Sequence, residues 1–229
     1  MKVSLLSSTP DPEKAVTVAA KLCYSDSTIA ELEDKVRGIS VEKFLDKILS
    51  MGHNSILEHA SFSFGIDGIS RVTSHQLVRH RVASYSQQSQ RYVNLAGSDE
   101  YVVPETIAGD DALNAEYREL LKNIHALYSR MVEAGIPKED ARYLLPNAAC
   151  TKIIVTMNAR ELLHFFKLRC CERAQWEIRD MATRMLTLAK EAAPVIFKDG
   201  GPSCVPGPCG EGKMTCGKPM EIRKKFKEM

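Results

Sequence analysis

The chain has 229 residues, 44% hydrophobic and 26% charged, enough for a sizeable buried core in one large or two small domains. Thirty-one Lys and Arg against 29 Asp and Glu leave a formal charge of +2. That field is too weak to steer the whole molecule onto nucleic acid or an anionic membrane, so any anion binding must be local.

A strand over "KVSLLSS" is expected first, followed by a helix that Asp11-Pro12 opens and that runs to Cys23, with Pro at its first position. Its short apolar run does not make a signal peptide, and no later window approaches the ~18–20 apolar residues of a membrane span, so a cytoplasmic protein is expected. Thr28 to Val36 and Val41 to Ser50 read as two further helices, the second stopped by Gly52. In "EHASFSFGIDG", Phe62, Phe64 and Ile66 alternate as a half-buried strand ended by glycines. Ser70 then caps a helix carrying "RVTSHQLVRHR", which would put Gln76, Arg79 and His80 on one face and end near Ser84.

Asp110 to Ala134 is the longest expected helix, with Leu113, Tyr117, Leu120, Leu121, Ile124, Leu127, Tyr128 and Met131 forming an apolar stripe assigned to the core. Pro137 starts a short helix bearing Arg142, and Pro146 ends it. "CTKIIVTMN" is a β-branched strand, after which Asn158 caps the helix "ARELLHFFKLR"; a further helix spans about Arg173 to Ala192. Residues 200–219 are rich in Gly and Pro and carry three cysteines, too irregular for packed secondary structure unless something staples them, and "EIRKKFKEM" is a basic tail.

The chemistry concentrates in "RHRVASYSQQSQRY", Arg79 to Tyr92, where four cations or near-cations and eight hydroxyl or amide side chains surround two aliphatic residues. Arg79, His80, Arg81 and Arg91 would repel one another unless an anion or carboxylates sat among them, and guanidinium with hydroxyls and amides suits phosphate. Single-stranded RNA is a rival ligand for such a cluster. The near-neutral total charge and the lack of an RNA-binding motif speak against it, so no nucleic-acid partner is expected.

Elsewhere, Asn158, Arg160 and His164 can be presented around the first turns of one helix, with Arg169 at its far end. "GHNSILEH" matches no recurrent zinc spacing, so hydrogen-bonding roles suit His53, Ser55 and Glu58 better than metal ligation. Seven cysteines without a secretion signal point to thiols or metal ligands rather than a disulfide framework. Cys204, Cys209 and Cys216 are candidate zinc ligands, with Cys170 or Cys171 as a fourth, although no CxxC pair is present.

Arg79-His80-Arg81, seven residues, then Ser89 and Arg91 match the RHRx7S signature, and on it the chain resembles the flavin-dependent thymidylate synthases. "GHNSILEH", Gln76, "ARYLLP", "MNARELLHFFKLR" and "AQWEIR" resemble further blocks of that family, in its order. The resemblance implies an α/β subunit of α+β type: a single domain over residues 1–199 with a central, mostly antiparallel sheet flanked by helices, followed by a Gly/Pro/Cys-rich segment and basic tail over 200–229. It also implies a homotetramer with active sites shared between subunits. The implied reaction converts dUMP to dTMP, with methylenetetrahydrofolate as carbon donor and FAD reduced by NADPH as hydride carrier.

Carried over by position, His53, Ser55, Glu58, Arg79, His80, Arg81, Gln87, Asn158, Arg160 and His164 would meet FAD, with His53 close to the folate as well. Gln76, Arg79, Gln87, Gln88, Ser89, Gln90, Arg91, Arg142 and Arg169 would meet dUMP, with Arg169 activating the uracil ring. His164 stands where some members have Asn, and Gln90 where Gly is common. No residue pattern around Ser89 identifies a general base, so an orienting role rather than a nucleophilic one is expected.

Overall fold

A computed structural model describes residues 1–95 and 100–229. Strands β1 (Lys2–Ser8), β2 (Ser61–Ser70), β3 (Ser84–Gln87) and β4 (Cys150–Asn158) form one antiparallel sheet in the order β1-β2-β4-β3 within a mixed α/β fold. Helices α1 (Pro12–Leu22), α2 (Ile29–Arg37) and α3 (Val41–Ser50) precede β2, and α4 (Arg71–Leu77) follows it. Helices α5 (Glu105–Ala108), α6 (Asp111–Glu133) and α7 (Lys138–Ala141) lie between β3 and β4. After β4 come α8 (Ala159–Arg169), α9 (Trp176–Ala192), α10 (Pro194–Phe197) and α11 (Pro219–Lys227). Among the described residues, no helix is long and apolar enough to cross a membrane.

The chain divides into two compact units. Met1–Lys2, Ile66–Arg79 and Ser86–Ile153 form the first; Val3–Gly65, His80–Tyr85 and Ile154–Met229 form the second. Both β2 and β4 contribute residues to each.

In the second unit, alternation along β2 buries Phe62 and Phe64 completely. The Phe62 ring meets Phe197 of α10 at 5.2 Å, Phe197 meets Phe166 of α8 at 6.0 Å, and Phe166 meets Phe165 at 5.7 Å. These edge-on and tilted contacts fix α8 against the core. Helix α9 buries Ile178, Met181, Ala182, Met185, Leu186 and Ala189, the helical spacing of a core-facing stripe. The basic tail is itself a helix: α11 buries Ile222 and Phe226, and Lys190 Nζ donates to the Phe226 carbonyl.

Three expectations are corrected. The glycines do not end β2, which runs on to Ser70. Gly65 instead admits Leu6 of β1, whose side chain would lie 3.2 Å from a Cβ there, and Gly68 takes φ +73°. The helix capped by Ser70 stops at Leu77, well before Ser84, so helical spacing does not put Gln76, Arg79 and His80 on one face. Serine and glutamine after Ala83 enter β3 rather than a loop, a short polar strand with no apolar alternation to announce it.

In the first unit, the stripe on α6 is largely not core. Only Leu121 and Tyr128 are buried, while Leu113, Leu120 and Leu127 are 57%, 55% and 40% exposed. The helical period correctly identifies one apolar face but carries no information on what covers it.

The aromatic chain that seats α8 generates a stability prediction. Phe197→Ala should cost about 3–5 kcal/mol, read as a lower urea midpoint, because the cavity left among Phe62 and Phe166 cannot collapse fully.

Candidate active site

Helix α8 begins where β4 ends. Ala159 N donates to Ala60 O at 2.8 Å, and Asn158 Oδ1 accepts from Glu161 N at 2.9 Å, so the strand register and the cap together set the helix's rotation. One face then carries Glu161, Phe165 and Arg169, and the other Arg160, Leu163, His164 and Lys167.

The first face holds His80, which is 6% exposed. Its Nδ1 lies 3.2 Å from Glu161 Oε1, and Arg169 Nε–H donates to its Nε2 at 3.1 Å. An Nε2 that accepts must be unprotonated, so Nδ1 carries the proton and the ring is neutral. Burial lowers the His80 pKa and the Arg169 charge lowers it further, against the opposing pull of Glu161. Phe165 packs edge-on at 4.9 Å, and Tyr85 Oη donates to the His80 carbonyl at 2.7 Å. Burial pushes the Tyr85 phenol up to about 12, so it stays a donor.

The second face lines a cavity of about 980 Å³ in the same unit. Arg160, His164 and Lys167 form one wall, Asn54 and Leu57 of the turn before β2 another, and Gly200, Gly201, Ser203 and Gly207 of the C-terminal segment a third. Glu58 reaches Arg160 Nη1 at 2.5 Å across the mouth of that turn. Ser55 is exposed on the same turn, and His53 Nε2 lies 3.1 Å from Tyr24 Oη.

In the first unit, Glu139 gathers two of the expected nucleotide residues. Its carboxylate binds Arg91 Nε at 2.7 Å and its carbonyl accepts from Arg142 Nε at 3.2 Å. Burial, and then the nearby Arg142 charge, lower the pKa of Arg71, so three guanidinium groups lie in one neighbourhood. Ser89 Oγ accepts from the amides of Arg91 (3.1 Å) and Tyr92 (3.4 Å) and shapes the turn on which Arg91 sits. Gln87 Nε2 donates to Thr151 Oγ1 at 3.2 Å, and Gln88 N to Lys152 O at 2.9 Å. Gln76 and Gln90 are half-buried.

Of the cations expected to cluster, His80 and Arg91 find carboxylates within their own units. Arg79 in the first unit and Arg81 in the second are exposed, with no ion pair among the described residues. Sequence reasoning passed over Glu161, Tyr85, Glu139 and Arg71. Glu161 had a signal, as it stands three residues after a cap in the same block as Arg160, but that spacing reads locally as a capping acid.

The chain matches the family described as Thymidylate synthase complementing protein over residues 4–195. It is 58% identical over 230 residues to a flavin-dependent thymidylate synthase of Geobacter sulfurreducens, covering 100% of this chain and 99% of the relative. A protein of the same name from Clostridium tetani is 48% identical over 240 residues, covering 98% and 96%. Among solved structures, the UMP/dUMP methylase PolB from Streptomyces cacaoi, bound with 5-Br dUMP, superposes with a TM-score of 0.73 over 86% of this chain and 93% of that one. At 24% identity it shares the fold. The chain belongs to the Thymidylate synthase complementing protein family.

The neutral His80 makes stability pH-dependent. Its folded pKa is lowered, so the unfolded chain takes up a proton first as pH falls through the ordinary value near 6.5. Its contribution is therefore fully present above pH 6.5 and is lost below it. Thermal midpoints from pH 7.5 to 5.5 should fall less steeply in His80→Gln, which keeps a donor and an acceptor without titrating, than in the unsubstituted protein.

Proposed function

We propose that this chain methylates dUMP to dTMP, taking the carbon from methylenetetrahydrofolate and the reducing hydride from FAD that NADPH has reduced. The observation that carries this reading is the similarity, over the whole chain, to a protein named flavin-dependent thymidylate synthase, alongside the RHRx7S block that this sequence carries at Arg79 to Ser89. The cavity beside α8 fits a flavin dinucleotide in size, and Arg160 and Lys167 supply the cations its pyrophosphate needs. When bound, FAD supplies the redox chemistry that no side chain here can provide.

Arg160, Asn158 and His164, with His53, Ser55, Glu58, Arg79, His80, Arg81 and Gln87, are assigned to the flavin. Gln76, Arg79, Gln87, Gln88, Ser89, Gln90, Arg91 and Arg142 are assigned to dUMP. Arg91 and Arg142, held through Glu139, suit the nucleotide phosphate. Ser89 accepts two amides, which leaves its O–H to donate to a phosphate oxygen. Arg169 is assigned to the uracil edge. His80 fixes its guanidinium, and a permanent positive charge there stabilises negative charge as it develops on the ring, without a protein nucleophile.

The exposed apolar face of α6 supports assembly into the homotetramer. Leu113, Tyr117, Leu120, Ile124, Leu127 and Met131 alternate spacings of four and three, the seam along which helices of two chains pack. Leu120→Arg with Leu127→Arg should shift the assembly to smaller species in sedimentation velocity while the isolated chain keeps its helical signal. An unchanged sedimentation coefficient would show that this seam is not the contact.

The activity is tested by the visible spectrum of the purified protein under anaerobic conditions. An oxidised-flavin spectrum should bleach with NADPH, faster when dUMP is present, and dTMP should form once the folate is added. Protein that neither holds nor accepts FAD would end this reading. In Arg169→Ala, kcat should fall by about 10²-fold or more with flavin retained, the size expected for removing an electrostatic stabiliser.

A further inference from the structure

The C-terminal segment folds back so that Cys204, Cys209 and Cys216 share a neighbourhood with Cys171 beyond the end of α8. Arg173 Nη1 binds Glu211 Oε2 at 3.1 Å, joining the loop after α8, which carries Cys171, to the residues beyond Cys209. Gly210 N donates to Ser203 Oγ at 3.1 Å, setting Cys209 beside the neighbour of Cys204. The Cys209 thiol lies 3.6 Å from Thr215 Oγ1, next to Cys216. Arg223 of α11 clamps the arrangement from below, donating to the carbonyls of Cys204 at 2.8 Å and Gly207 at 2.6 Å. The thiols of Cys209, Cys171 and Cys216 all lie within electrostatic range of the Cys204 thiol.

We propose that Cys171, Cys204, Cys209 and Cys216 form a structural zinc site that staples the C-terminal segment to the end of α8. Four thiolates are the donor set of a closed, non-catalytic tetrahedral site. Residues 200–218 contain no strand and only one short 3-10 turn, so loop hydrogen bonds and side-chain packing rather than a backbone ladder hold them. The neighbouring Cys170 is not a ligand: it is 1% exposed and bonded to Thr183 of α9. Among the described residues, no three candidate ligands already stand at metal-bonding positions, so zinc binding turns the side chains inward. Gly207, Gly212 and Gly217, which have open space around them, let the backbone follow. The same segment walls the cavity beside α8 through Ser203, Gly207 and Gly210, so the staple also sets the shape of that wall. The site does not depend on the methylation reading.

The full-length protein, reduced and stripped of metal, is titrated with cobalt(II) and then zinc(II). One equivalent of cobalt should give the ligand-field bands of a tetrahedral thiolate site in the red, clear of flavin absorption, and zinc should abolish them. Cys209→Ser and Cys216→Ser should each lose the bands, while Cys150→Ser, in the first unit, should keep them. Three results would each overturn the site: reduced wild-type protein without bands, bands that survive in the Cys209→Ser/Cys216→Ser double variant, or mass spectrometry showing these four thiols paired as disulfides.

Discussion

The pairing of β4 with β2 is the constraint from which the geometry on both faces of α8 follows. In the second unit, Ala159 N meets Ala60 O, and Ser63 Oγ meets Thr156 Oγ1 at 2.7 Å, the same antiparallel register read at two points. Beyond the strand ends, the 3-10 turn before β2 and the first turn of α8 lie close enough for Glu58 and Arg160 to form an ion pair. A slip of one residue would turn Phe62 and Phe64 outward, so the burial of those rings protects the register and, through it, the direction of α8.

Two faces of one helix then serve two purposes. Residues 160, 163, 164 and 167 line the cavity, whereas 161, 165 and 169 surround His80, and His164 reaches both, its ring 6.0 Å edge-on from that of His80. Helical spacing made Arg160 and His164 of the first set legible in the sequence because they are polar at i and i+4, while Leu163 and Lys167 were not singled out. The second set was not legible as a set. Its histidine lies 81 residues from Glu161, and Glu161 follows an N-cap at the spacing of a capping box, a local explanation sufficient in itself. Only the tertiary pairing shows that the carboxylate is spent on His80.

The same distinction governs the rest of the chain. Strands β1 and β4, helices α1 to α3 and the caps at Ser70, Asp110 and Asn158 follow from short-range signals, and they stand where the sequence put them. The strand β3 depends on pairing with β4, continued just past its end by Gln88 N to Lys152 O, which no local pattern encodes. On α6 the local pattern was right and its usual interpretation wrong. An apolar stripe reports that something is to be covered, and within this chain only Leu121 and Tyr128 are.

The charge state of His80 can be argued from magnitudes. An imidazolium beside Arg169 would place two positive charges side by side, and like charges about 4 Å apart repel by about 4 kcal/mol at an effective dielectric near 20. Glu161, at 3.2 Å on the other side of the ring, returns an attraction of similar size, so the two charges nearly cancel. Burial then decides the matter, because it penalises the charged ring alone. The outcome keeps Nε2 as an acceptor, and an acceptor is what Arg169 needs to be held by its Nε without losing its charge. A lysine at position 80 would repel Arg169, a leucine would leave its Nε–H and the Glu161 carboxylate without their partner, and an asparagine would fall short of spanning both. Histidine is the side chain that joins a half-buried carboxylate to a half-buried guanidinium while staying neutral itself.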